Sequence, residues 1–173
     1  MVLSETELFE AIARDRAAGR TVAFANGCFD LLHVGHVRYL KAAAQEADRL
    51  IVAVNDDQSV AGLKGPGRPI LPATDRAELV AALRGVSYVV VFSDATVERL
   101  LQLIRPDVHC KGTDYTIDTV PERAVVAAYG GRTVIVGDPK SHATRELLAR
   151  IAATNHEPRT TNHEPRTTED PAQ

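Results

Sequence analysis

Residues 24–40 read FANGCFDLLHVGHVRYL. An apolar run over 21–25 stops at Asn26-Gly27, and six residues after that glycine two histidines, His33 and His36, flank Gly35 at the head of an amphipathic stretch. The pattern predicts a strand, a short loop and the first turn of a helix. A helix N-terminus carries unpaired N–H donors and partial positive charge, so this arrangement is an anion site by construction. Gly27 and Gly35 lack a Cβ and let a phosphate approach the backbone. Two histidines three apart in one first turn face the same side. The expectation is a phosphate cradle. A plainer reading makes His33 and His36 capping or half-buried polar residues. A third is zinc, which usually takes three or four ligands; the other candidates, His109, Cys110 and His142, stand at no recognisable ligand spacing.

The rest of the chain repeats the alternation that the stretch begins. Apolar runs occur at 21–26, 49–55 (RLIVAVN), 86–92 (VSYVVVF), 107–111 (DVHCK) and 132–137 (RTVIVG). Between them lie helical patterns at 34–47, 73–85, 94–105 and 121–131, with a last one at 144–153. Ahead of the first run, Ser4 and Glu7 have the spacing of a capping box for a helix that Gly19 ends. Strands apolar almost throughout, separated by single helices, predict an α/β fold: a Rossmann-like, doubly wound parallel sheet of about five strands in one domain. Ligands bind such sheets beyond the carboxyl ends of the strands, where the opening stretch sits.

Composition agrees. The 173 residues are 45% apolar and only 5% aromatic, so the core is built from Val, Leu, Ile and Ala. A chain near that length buries roughly 68–70% of its unfolded surface and needs no disulfide or metal for stability. Two cysteines, Cys28 and Cys110, make no disulfide framework and favour a reducing, cytoplasmic setting. The acidic start MVLSETELFEAIARD is unlike a secretory signal, and no apolar run approaches eighteen residues, so no membrane partner is expected. A net charge of −3 gives no reason to expect nucleic acid. Residues 1–153 are expected to form the domain. Residues 154–173 carry TNHEPRT twice in tandem, with no apolar position to make a coiled-coil seam, and are expected to be a disordered tail whose His156 and His163 are solvated filler.

Other nucleotide fingerprints are missing: there is no G-x-x-x-x-G-K-[ST], and Gly62, Gly65 and Gly67 do not match G-x-G-x-x-G. Those glycines belong to AGLKGPGRPI (61–70), which has Lys64 and Arg68 and no acid. It reads either as a flexible basic loop that folds over a triphosphate, bringing Lys64 to it, or as an ordinary exposed loop.

NGCFDLLHVGH, with His33-Val34-Gly35-His36, resembles the signature of the HxGH nucleotidyltransferase superfamily. NGCFD, LKGPGRPI, DRAELVAAL and RPDVHCKGTDYT…VPE, in that order, resemble the heptose 1-phosphate adenylyltransferases over about residues 20–152. The resemblance implies an enzyme that joins AMP from ATP to a heptose 1-phosphate, giving ADP-heptose and pyrophosphate. It also implies the stand-alone form of that enzyme, Mg²⁺ held through phosphates with no direct protein ligand, and a homodimer. The chain departs from the family pattern at Ala44 and Gln45, where relatives usually carry a basic residue, and at Ala143, Thr144 and Arg145, where a Ser-Thr-Thr run is usual.

The proposed chemistry is in-line attack by a sugar phosphate oxygen on the α-phosphorus of ATP. A phosphomonoester's second pKa is about 6, so no general base is required; the work is positioning and charge stabilisation. On this reading His33, His36 and Lys64 are catalytic. Asn26, Gly27, Cys28, Phe29, Gly35, Thr144 and Arg145 bind the nucleotide, and Asp30, Arg68, Lys111 and Asp114 the acceptor. Alternatives stand beside several of these. Asp30 is also suited to cap the helix, Lys111 to pair with an acid, and Thr144 and Arg145 to cap the last helix. Cys28 invites a thiolate role, but the chemistry has no need of one and small core filler is the simpler reading. Rival functions are a glycerol-3-phosphate-type cytidylyltransferase and a catalytically silent nucleotide-binding module.

Overall fold

A computed structural model describes residues 1–139 and 144–154. The chain opens with α1 (Glu5–Ala17), started by the expected capping box: Ser4 Oγ accepts from the Glu7 N–H at 3.3 Å and Glu7 Oε2 accepts from the Ser4 N–H at 2.8 Å. Then follow β1 (Val22–Gly27), α2 (Val34–Ala43), β2 (Arg49–Asn55), α3 (Asp57–Lys64), α4 (Ala73–Ala81), β3 (Tyr88–Phe92) and α5 (Glu98–Ile104). The remaining elements are β4 (Val108–Gly112), a 3₁₀ turn (Ile117–Thr119), α6 (Arg123–Ala128), β5 (Arg132–Val136) and α7 (Thr144–Thr154). All five expected strands are present. The tandem repeat after its first residue, Thr154, lies outside the described residues, as do His142, Ala143, His156 and His163.

The strands pair in parallel in the order β3-β2-β1-β4-β5. From β1 the chain winds one way through β2 to β3 and then crosses back to β4, so the strand order reverses between β1 and β4. That reversal leaves a crevice beyond their carboxyl ends. Although the strands read as unbroken apolar runs, they alternate in space. Val22, Phe24, Ile51, Ala53 and Val90 face α1, α5 and α6. Ala23, Ala25, Leu50, Val52, Val54 and Val89 face α2 and α4.

Two features were not expected. Residues 57–64 are helical, where the glycines had suggested a loop from 61. Asp56 accepts from the Ser59 N–H at 2.7 Å, Val60 is fully buried, and the left-handed turn at Gly65 (φ 88°) ends the helix. Lys64 is therefore the last residue of α3, and the loop shrinks to the residues from Gly65 to α4. At the other edge of the sheet, Val2 bridges Val89 and the Leu3 N–H donates to the Val89 carbonyl at 2.9 Å, so the N-terminal residues line the edge of β3.

Candidate active site

The crevice between β1 and β4 is a cleft of about 940 Å³. Asn26, Gly27, Cys28, Phe29, Asp30, His33, Gly35, His36, Lys64, Arg68, Lys111, Asp114 and Thr144 all line it. The side chain of Arg145, the remaining candidate, lies outside the described residues.

The turn from β1 to α2 is shaped by Gly27 and Phe29. Phe29 sits in the left-handed region (φ 47°), a conformation costing about 1–3 kcal/mol for a non-glycine residue and typical of constrained functional loops. Its ring folds back over Gly27, where a Cβ would lie 3.1 Å from the ring atoms. From there the ring meets His36 edge-on, with centroids 5.3 Å apart. His33 is the N-cap of α2 in extended conformation, yet its side chain makes no capping hydrogen bond. Instead it stacks on His36, with centroids 3.8 Å apart and planes 22° from parallel. Burial lowers the His36 pKa to about 4; His33 and Lys64 push the same way, and Asp114 opposes them. The ring is therefore neutral at pH 7. Its Nδ1 is buried without a hydrogen bond of normal geometry, the Leu31 backbone exerting only a weak pull toward the charged form.

Beneath the pair lies a buried polar layer. Lys111 Nζ donates to Asn26 Oδ1 at 3.1 Å and to Glu122 Oε1 at 3.1 Å, so the acid partner foreseen for this lysine is Glu122. His109 Nε2 faces the same Asn26 oxygen at 3.5 Å. With that oxygen occupied, the Asn26 amide N–H groups are left for the cleft. Burial, then the charge of Lys111, lowers the His109 pKa to about 3. Cys28 is half-buried with its sulfur 4.0 Å from Asn55 Oδ1, and burial raises its pKa against the pull of nearby Lys64 and Arg76, so a thiolate is disfavoured. Burial raises the Cys110 pKa to about 12, and no group of three metal-ligating side chains gathers among the described residues.

The segment after α3 is clamped at two points. Asp30, which is 2% exposed, pairs with Arg68 and accepts from the Ile70 and Leu71 N–H groups at 2.6 and 3.2 Å. Arg76 is fully buried in α4. It donates to the Cys28 carbonyl at 2.5 Å, the Leu71 carbonyl at 2.9 Å and Asp57 Oδ1 at 2.7 Å. On the far wall, Arg38 pairs with Asp138 at 2.9 Å and Thr113 Oγ1 donates to the Asp138 carbonyl at 2.7 Å. There Gly137 (φ 96°) lies so close to Tyr39 that a Cβ would stand 3.2 Å from its Cα.

The sequence pattern of the cytidylyltransferase-like family matches residues 24–163, most of the chain. The chain belongs to the cytidylyltransferase-like family. Among curated relatives, the bifunctional protein HldE of Ectopseudomonas mendocina (strain ymp) is 48% identical over 150 residues, 87% of this chain and 32% of that protein. HldE of Gluconacetobacter diazotrophicus is 47% identical over 152 residues, 88% of this chain and 31% of that protein. The chain thus spans about a third of the length of these relatives. The crystal structure of the lipopolysaccharide core biosynthesis protein from Thermoplasma volcanium GSS1 has a TM-score of 0.62 at 24% identity. It covers 70% of this chain and 100% of that one, and has the same fold.

Sequence reasoning missed Arg76, Asn55 and Glu122. Arg76 stands in DRAELV beside Asp75 and Glu78, where it reads as part of a solvated face. The VPE segment in the resemblance was the available signal for Glu122. The family departure at 44 and 45 lies away from the cleft. Ala44 packs against Gly85 in the core over α2 and α4, and Gln45 is exposed.

Two outcomes follow from these contacts. Replacing Arg76 by Leu strips donors from the Cys28 and Leu71 carbonyls and should cost about 3 kcal/mol in urea denaturation, with Asp57 adding little because it is half exposed. Lysine should not restore the loss, because it lacks the forked geometry that reaches three partners. The pH dependence follows from His36 and His109. Their folded pKa values lie below the unfolded 6.5, so between pH 6.5 and about 4 the unfolded chain binds protons that the folded chain refuses, and stability falls as pH falls through that window. The slope is at most about 1.4 kcal/mol per pH unit for each histidine, a loss on the order of 2 kcal/mol each between pH 7 and 5. Denaturation of His109→Asn at the two pH values should show a smaller drop than wild type.

Proposed function

We propose that this cytidylyltransferase-like chain is a nucleotidyltransferase that transfers AMP from ATP to a heptose 1-phosphate. An acceptor phosphate oxygen forms the new bond to the α-phosphorus. The bond from that phosphorus to the bridging oxygen breaks, and pyrophosphate leaves in line with the electron pair. The observation that carries the reading is the stacked His33–His36 pair at the head of α2, facing the same cleft as Lys64. Such a site supplies donors without a nucleophile and base, which is what transfer to an already ionised phosphate requires. The acceptor and the choice of adenine rest on the resemblance and on the HldE relatives.

His36 enters the reaction as a neutral imidazole donating one N–H, and an arriving polyphosphate favours its proton uptake. Lys64 is the cleft lysine or arginine that forms no salt bridge among the described residues, whereas Arg38, Arg68 and Lys111 each have a carboxylate partner. One free lysine is a small counter-charge for a triphosphate and a phosphomonoester together. Mg²⁺ entering with the substrates, with no group of three metal-ligating side chains among the described residues to hold it directly, would supply further charge neutralisation. Within the same proposal the Asn26 amide, the backbone of Gly27 to Phe29, Gly35 and Thr144 contact the nucleotide. Lys111 and Asp114 face the acceptor, and the chain acts in the cytoplasm as a homodimer.

A matrix of ATP, CTP and GTP against heptose 1-phosphate and glycerol 3-phosphate, read by pyrophosphate release with magnesium, should give turnover with ATP and heptose 1-phosphate. Preference for CTP and glycerol 3-phosphate would replace the reading with a cytidylyltransferase, and nucleotide binding without pyrophosphate would replace it with a silent module. His36→Ala should lose about 2.7–4 kcal/mol of transition-state stabilisation, on the order of 10² to 10³ in kcat. Wild-type turnover in that variant would reject the role given to the ring.

A further inference from the structure

Asp30 lines the cleft, and its type and place suit it to bind an acceptor hydroxyl. Its contacts leave no room for that. A carboxylate offers about four lone-pair directions. In Asp30, Oδ2 takes Nε and Nη2 of Arg68, and Oδ1 takes the N–H groups of Ile70 and Leu71. All four directions are used, and the residue is 2% exposed. The Arg68 side chain is 15% exposed and lines the cleft. A guanidinium has five N–H groups in a fixed plane. Those not directed at Asp30 are held in one orientation by the two-point contact.

We propose that Asp30 is a positioning residue and Arg68 the group it positions. Asp30 fixes the guanidinium plane and the backbone at 70–71 so that the outer N–H groups of Arg68 grip phosphate oxygens of a bound substrate. The ligand class is a phosphate, supplied either by the nucleotide's triphosphate or by the sugar 1-phosphate. Because the ion pair offsets the arginine's charge, its contribution is directional hydrogen bonding, and bulk counter-charge falls to Lys64 and the metal. The turnover part of this proposal rests on the nucleotidyltransferase reading, and its binding part does not.

The test compares wild type with Asp30→Ala, Asp30→Asn, Arg68→Ala, Arg68→Lys and the Asp30→Ala/Arg68→Ala double variant. Calorimetry with ATP and magnesium, and separately with heptose 1-phosphate, identifies which phosphate Arg68 holds. Asp30→Asn should weaken the same ligand as Arg68→Ala does, by about 10- to 100-fold, because a charge-assisted bidentate contact is misaligned in one and lost in the other. Asparagine keeps an oxygen for the Ile70 and Leu71 N–H groups, so this variant stays folded if Asp30→Ala does not. Arg68→Lys should not restore binding. In turnover, the double variant should be within about threefold of Arg68→Ala alone, since residues acting as a unit are non-additive. Added guanidinium should partly restore Arg68→Ala and fail to restore the double variant, a difference that loosened packing alone would not produce. Full affinity for both ligands in Asp30→Asn, or losses that multiply in the double variant, would overturn the proposal and return Asp30 to direct contact with substrate. A wild type that binds ATP but makes no pyrophosphate would sink the transfer reaction while leaving the binding comparison to judge Asp30.

Discussion

His36, stacked on His33 with ring centroids 3.8 Å apart, is kept neutral at pH 7 first by burial and then by the positive charge around it. That constraint governs the site. The helix N-terminus behind the rings already offers partial positive charge, and a second full charge on buried His36 would oppose both it and Lys64. A polyanion brought beside the ring would favour the charged form against the burial that keeps it neutral.

The scaffold around the rings is held by three ion pairs that each join separate elements: Asp30 with Arg68, Asp57 with Arg76, and Glu122 with Lys111. Desolvating such pairs makes them poor sources of net stability, and apolar replacements of equal shape are often as stable. What they supply is fixed relative position. Arg76 ties the carbonyl of Cys28, in the turn from β1 to α2, to the carbonyl of Leu71, in the segment between α3 and α4. Lys111 holds the Asn26 oxygen from the carboxyl end of the neighbouring strand. The core beneath is aliphatic and the sheet is short, so positional accuracy at the rim depends on these polar tethers more than on packing.

The strands were legible because a parallel sheet covered on both faces leaves little room for polar residues within its runs, and RLIVAVN or YVVVF therefore stand out from their surroundings. The pairing of the two histidines at the head of α2 was legible because strand end, glycine and histidines fall within a dozen residues, a local pattern. The ion pairs were not, since each joins residues in different elements with no local spacing to mark them; Asp30 and Arg68 are 38 positions apart. Helix α3 was hidden for a different reason. Three glycines drew the reading toward a loop, while the cap at Asp56 and the burial of Val60 outweigh the cost of one glycine within a helix, about 1 kcal/mol.

The departure at Ala44 shows how a family pattern can mislead when it is read without packing. Relatives place a basic residue there or beside it, and its loss looks like lost counter-charge at the phosphates. In this chain Gly85, with φ 97°, turns between α4 and β3 so close to the end of α2 that a Cβ on Gly85 would lie 2.8 Å from that of Ala44. The two positions are sterically linked: a small residue at 44 lets the turn close down, and the turn in turn leaves little space for a long side chain at 44. Neither residue lines the cleft. Ala44 therefore belongs to the packing of the C-terminal end of α2 against the turn at Gly85, a full helix length from the histidines at the other end, and its loss of charge removes nothing from the cleft lining.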